Sequence, residues 1–163
     1  MLILLYNLDN LNQKMKEGSK IKNFSAEMTG NKEFKLNDYQ GKNIVLYFYP
    51  RDNTPGCTSE GEDFRDNFKS FAKKNTLIFG ISKDTLKSHE NFKDKFNFPF
   101  QLISDPEEKI CKLFDVIKEK SMYGKKYMGI ERSTFLIDSN GKLAKEWRKV
   151  KLKGHVEEVL NSL

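Results

Sequence analysis

Apolar positions along this chain fall into short blocks of two kinds, and the blocks alternate. Residues 44–49 (IVLYFY) form an unbroken apolar run, rich in β-branched and aromatic side chains and stopped by Pro50. Such a run predicts a strand buried on both faces. From Cys57 onward the spacing changes: Phe64, Phe68, Phe71 and Ala72 recur at helical intervals, which predicts a helix. Residues 76–82 (TLIFGIS) read as a second buried strand, and Leu86, His89, Phe92 and Phe96 mark a second helix. Residues 101–104 give another strand. Asp105-Pro106 opens a further helix with proline in its first turn, turning Ile110, Leu113 and Phe114 inward.

Weaker signals complete the order. Residues 33–36 suggest a short strand, 37–40 a turn, and the polar stretch 118–126 a loop. Residues 133–138 and 143–150 flank Ser139-Asn140-Gly141-Lys142, and Asn-Gly between two such runs predicts a hairpin. Residues 154–163 close the chain with a helix. Strands alternating with helices, then a hairpin, imply an α/β sheet.

Composition narrows this only a little. The 163 residues suit one domain, and thirteen Phe and six Tyr supply a core despite a modest apolar content. No stretch reaches the roughly 20 apolar residues of a membrane span. Residues 1–6 (MLILLY) are apolar but lack the basic start and cleavage site of a secretory signal. Residues 1–17 are an N-terminal extension: an added strand, a frayed tail, or sequence upstream of a true start at Met15. A cytoplasmic protein is expected. The net charge of +6 is spread over lysines that often neighbour acids, which suits solvated faces better than nucleic-acid binding.

The chemistry concentrates at Pro50-Arg-Asp-Asn-Thr54-Pro-Gly-Cys57. Cys57 falls between a buried strand and a helix, in the first helical turn, where free N–H groups and the macrodipole favour an anion. A thiolate is the nucleophile. Thr54 offers a hydroxyl that can orient a bound oxygen, or it is simply a turn residue. Backbone N–H groups near Gly56 and Cys57 can donate to the same oxygens. Pro50 brings no N–H and can shield the sulfur, while also ending the strand. Two Cys and two His are too few and scattered for a zinc site, and neither CxxC nor a nucleotide-binding glycine motif occurs. His89 and His155 suit packing or capping. No metal and no cofactor is expected.

PxxxTxxC with its flanks YFYP and TPGCTSE resembles the active-site loop of peroxiredoxins, in the bacterioferritin-comigratory or Prx Q branch. FGISKD, FQLISD, ERSTFLIDSNGK and WRKVKLKGHVEEVL continue the likeness in order, from about Gly18 to the end. The resemblance implies a thioredoxin-like fold over residues 18–163, a central mixed β-sheet flanked by helices. It also implies a thiol peroxidase acting on hydrogen peroxide and organic hydroperoxides through a Cys57 sulfenic acid. It makes Arg132 the cation that stabilises thiolate and leaving oxygen, and Glu60 the acid that positions Arg132. By residue type alone these could be a surface arginine and a carboxylate at a helix start.

The chain departs from the family at one point. Many members carry a resolving cysteine five residues after the first, where this chain has Glu62, or on the next helix, near Lys93. Only Cys111 remains, in a helical pattern that suits a core thiol better than a resolver. The reading is therefore a one-cysteine mechanism served by an external thiol, from a thioredoxin, glutaredoxin or glutathione system. A relay passing oxidation from Cys57 to a partner protein is the alternative. No nucleic acid and no membrane is expected as a partner, and the resemblance permits a monomer or a small homodimer.

Overall fold

The computed structural model describes residues 15–163; residues 1–14 of the N-terminal extension expected over 1–17 lie outside that range. In chain order the elements are β1 (Ser25–Met28), β2 (Lys32–Lys35), a 3₁₀ turn (Leu36–Tyr39), β3 (Asn43–Phe48), α1 (Pro55–Asp66), α2 (Phe68–Lys73) and β4 (Thr76–Ser82). There follow α3 (Leu86–Phe96), β5 (Gln101–Ser104), α4 (Lys109–Leu113), β6 (Ile117–Met122), β7 (Lys125–Ile130), β8 (Ser133–Ile137), β9 (Leu143–Trp147) and α5 (His155–Asn161). Seven strands form one sheet in the order β2-β1-β5-β4-β3-β8-β9, and β6-β7 form a separate ribbon.

The apolar runs occupy the centre. β3, β4 and β5 run parallel, while β8 lies antiparallel to β3 and β9 antiparallel to β8. A parallel strand needs cover on both faces, and alternation along β3 supplies it. Ile44, Leu46 and Phe48 enter one core with Phe79, Ile110, Cys111, Phe114 and Phe135. Val45, Tyr47 and Tyr49 enter a second core with Cys57, Phe64, Phe71, Phe92, Val156 and Val159. Helices α1, α2, α3 and α5 thus cover one face of the sheet, and α4 packs on the other. The two cysteines lie on opposite sides.

Four elements differ from the sequence reading. The helix begun at Cys57 breaks at Asn67, whose side-chain amide donates to the Asp63 carbonyl at 2.8 Å, a competing bond typical of asparagine. The helix expected at Asp105 starts only at Lys109, because Glu108 adopts a left-handed conformation and the Asp105 carboxylate accepts from Cys111 N–H at 2.7 Å; Leu113 ends up exposed. Residues 118–126 are no loop but most of the ribbon. β1, not foreseen, pairs antiparallel with β2 across residues 29–31. Phe48, Phe98 and Phe100 are all core residues. Among the described residues, no helix is long and apolar enough to cross a membrane.

Candidate active site

The loop between β3 and α1 is fixed before any functional side chain is placed. Tyr49 N–H donates to Ile81 O at 3.1 Å, keeping the chain in register one residue past β3. The Tyr49 hydroxyl donates to Asp52 Oδ1 at 2.6 Å, and Asp52 N–H to Asp84 Oδ2 at 2.9 Å. Asn53 takes a left-handed turn at φ 58°, a conformation asparagine tolerates. Thr54 then caps α1 with extended backbone, its carbonyl accepting from Thr58 N–H and its hydroxyl donating to Arg51 O at 2.9 Å. Pro55 opens the helix, as proline readily does, leaving Cys57 in the first turn.

Around that turn three predicted residues meet. Arg132, just before β8, donates from Nη2 to Cys57 Sγ at 3.4 Å and from Nη1 to Glu60 Oε1 at 2.7 Å. Glu60, one turn along α1 from Cys57, is fully buried. Gly56 makes the approach possible: a Cβ there would stand 3.3 Å from Arg132 Nη2 and 3.3 Å from Leu152 Cδ1. Cys57 is 2 % exposed, so only a narrow approach reaches the sulfur. Pro50 and Thr54 are half-buried on the same loop, and Arg51 is exposed.

Electrostatics sharpen the picture. Burial pushes the Glu60 carboxyl up to about 7, outweighing the pull of Arg132 toward ionisation. Its second oxygen, Oε2, has no hydrogen-bond partner among the described residues. Beneath lies Tyr47, whose buried hydroxyl likewise has no hydrogen-bond partner among the described residues. Burial, with Glu60 and Cys57 nearby, pushes its phenol well above the usual tyrosine range. Gly80 on β4 admits this ring, since a Cβ would come within 2.8 Å of the Tyr47 oxygen.

This arrangement has known counterparts. Residues 18–146 match the AhpC/TSA family. The peroxiredoxin Bcp of Bacillus subtilis is 59% identical over 129 residues, covering 79% of this chain and 82% of that one. Peroxiredoxin Q of Xanthomonas campestris superposes with a TM-score of 0.82 at 47% identity, over 85% of this chain and 88% of that one. A Xylella fastidiosa PrxQ mutant reaches 0.87 at 43% identity, over 93% and 96%. The chain belongs to the AhpC/TSA family, as a Bcp/PrxQ-type peroxiredoxin. It is a thiol peroxidase working through a catalytic cysteine, with a peroxide substrate and a thiol redox partner. Its fold is thioredoxin-like, a central mixed sheet flanked by helices.

This peroxiredoxin has two cysteines, both free and both buried. Burial pushes the Cys111 thiol far up, and a hydrogen bond to Asp105 adds to the effect. Such a thiol is inert. Bridging it to Cys57 requires Cα atoms within about 7 Å, and the sheet stands between the two cores.

Sequence reasoning missed two contributors. Tyr47 was legible only as a strand residue; its face follows from the alternation that also points Tyr49 toward α3. His89 is more than packing: its ring nitrogens lie 2.7 Å from Asp52 Oδ2 and 2.8 Å from Ile103 O. It thereby ties the loop between β3 and α1 to α3. Asp52, Asp84 and His89 lie close enough to share an ion, but hydrogen bonds within the loop and to α3 occupy them. His155, at the start of α5, is held neutral by burial, which pushes it down to about 4; its Nε2 is 2.7 Å from Thr134 Oγ1.

Proposed function

We propose that Cys57 is the catalytic cysteine and that it reduces hydrogen peroxide and organic hydroperoxides without an internal resolving thiol. The single observation carrying this reading is the Arg132 fork, one arm on Cys57 Sγ at 3.4 Å and the other on Glu60 at 2.7 Å. The thiolate attacks the terminal oxygen of HO–OR; the S–O bond forms, the O–O bond breaks, and Cys57 becomes a sulfenic acid. The alkoxide or hydroxide leaves and takes up a proton. Arg132 and the N–H groups of Gly56 and Cys57 stabilise the negative charge developing on the departing oxygen. Thr54 orients the peroxide through its lone pairs, since its proton is committed to Arg51 O. Pro50 keeps water from the sulfur, and Glu60 positions Arg132. The alkyl peroxide reduction activity of the Xanthomonas campestris bacterioferritin comigratory protein supports organic hydroperoxides as substrates.

Resolution then falls to an external thiol, supplied by a thioredoxin, glutaredoxin or glutathione system. The inert Cys111 and its place beyond the sheet support this. The decisive experiment treats the reduced protein with one equivalent of hydrogen peroxide in the presence of a dimedone-type trap and weighs the product. One dimedone-type adduct at Cys57, formed with loss of the sulfenic oxygen as water, is expected, with Cys111 still a free thiol. Loss of two hydrogens without dimerisation would mean that the two cysteines pair. Peroxide turnover retained by Cys57→Ser would remove Cys57 from the mechanism.

A further inference from the structure

The loop that carries Pro50 and Thr54 is held from behind, by side chains on the α3 side of Asp52. The buried Asp52 carboxylate meets three partners. Tyr49 Oη donates to Oδ1 at 2.6 Å, Ser88 Oγ donates to Oδ2 at 2.8 Å, and His89 Nδ1 stands 2.7 Å from the same Oδ2. The other ring nitrogen of His89, Nε2, faces the Ile103 carbonyl at 2.8 Å. A carbonyl only accepts, so Nε2 donates. A further proton lies between Nδ1 and Oδ2, because two bare lone pairs do not stand that close in a site without water. His89 is fully buried, so the link is dry. Asp84 completes the set: its Oδ2 accepts from Asp52 N–H at 2.9 Å and from Ser82 Oγ at 2.5 Å.

The peptide between Arg51 and Asp52 carries this order into the site. Its N–H is taken by Asp84, and its C=O accepts from Thr54 Oγ1 at 2.9 Å. The two groups belong to one rigid plane, so the way that plane is turned sets the direction of the Thr54 proton and therefore of its lone pairs. We propose that His89 is a positioning residue for peroxide reduction: through Asp52 and the 51–52 peptide, it fixes the Thr54 hydroxyl in the orientation that receives the peroxide. This rests on the role given to Thr54 above. Without the ring, a buried carboxylate loses a partner and turns toward water, the peptide turns with it, and the Thr54 hydroxyl is freed to rotate. Cys57 is anchored separately, by the first turn of α1 and by Arg132 at 3.4 Å. The effect should therefore fall on the handling of peroxide and spare the nucleophilicity of the sulfur.

The test measures two reactions of Cys57 in the reduced protein by quenched-flow mass spectrometry. One is oxidation by hydrogen peroxide; the other is alkylation by iodoacetamide, which uses the same thiolate but needs no oriented peroxide. H89Q should slow oxidation about ten- to hundredfold, the cost of a small misplacement transmitted to the reacting groups. Its alkylation rate should stay within about twofold of wild type. T54V alone should slow oxidation as well, and adding H89Q to T54V should then cost less than about twofold more, because two residues on one route do not act additively. Normal oxidation in H89Q overturns the inference. So does alkylation that falls in step with oxidation, which marks a general loosening, and so does an H89Q effect that persists at full size in T54V. If H89Q fails to fold, S88A decides by the same criteria, since it removes one hydroxyl from the Asp52 carboxylate and leaves the ring in place. Normal oxidation in T54V overturns the role of Thr54 and this inference with it.

Discussion

Replacing Glu60 with Gln tests the electrostatic logic of the site, because the substitution keeps the shape and removes only the titration. Glu60 is buried at 1 % exposure and shares its Oε1 with Arg132. Burial raises its folded pKa from 4.5 to about 7. An acid that holds its proton more tightly when folded stabilises the fold at low pH. That contribution is complete below the unfolded value of 4.5 and is lost as pH rises through about 7. Each pH unit of displacement is worth about 1.4 kcal/mol, so the full loss is about 3 kcal/mol. Most of it falls between pH 5 and pH 8. The Gln variant has no such proton to lose. Its stability relative to wild type should therefore rise by about 2–3 kcal/mol across that interval, whatever the fixed cost of the substitution. Other titrating groups, His155 among them, are common to both proteins and largely cancel. Urea unfolding of the reduced proteins at a series of pH values measures the difference. Two parallel stability curves would mean that the Arg132 charge fully offsets burial at Glu60, and the reasoning would fail.

Three further outcomes follow from the same geometry. Arg132→Ala should slow Cys57 oxidation about a hundredfold or more, the effect of removing an oxyanion-hole donor; an unchanged stopped-flow rate would take Arg132 out of the site. Gly61→Ala puts a Cβ 2.4 Å from Phe98 Cζ, and the strain of about 1–3 kcal/mol should exceed the gain of about 1 kcal/mol in helix propensity. A denaturation midpoint at or above wild type would contradict that. His89→Ala removes a fully buried ring bonded to Asp52 and Ile103 and should cost about 3 kcal/mol or more; a loss under about 1 kcal/mol would show the Asp52 link to be dispensable.

Much of this was legible in the sequence where one physical signal dominated. The IVLYFY run could only be a covered strand, and the proline, glycine and cysteine after it could only sit at a helix start. The ribbon was hidden because residues 118–126 show no alternation of apolar and polar side chains. Its strands are held by cross-strand pairing with one face in water, so burial leaves no imprint on composition. The available signal was the turn: Tyr123 and Gly124 both take positive φ, 51° and 76°, as a two-residue hairpin loop requires. Arg132 was legible only through the family likeness; 75 residues separate it from Cys57, and no local pattern joins them. The Asp52–His89 tie was out of reach for the same reason.

The placement of the two thiols on opposite faces of the sheet also bears on how the catalyst moves through its cycle. An enzyme whose two thiols start too far apart to bridge must move backbone to close its disulfide, so each turnover includes a folding step. Here no second sulfur pulls on α1. The oxidised protein can keep the contacts of the reduced one, including the Phe64 and Phe71 packing that anchors α1 and α2. Transport then runs inward: the reductant has to come to the sulfur, through an aperture that leaves Cys57 2 % exposed. Such a passage acts as a size filter, favouring slender thiols over the blunt active-site surface of a protein reductant unless α1 loosens to meet it.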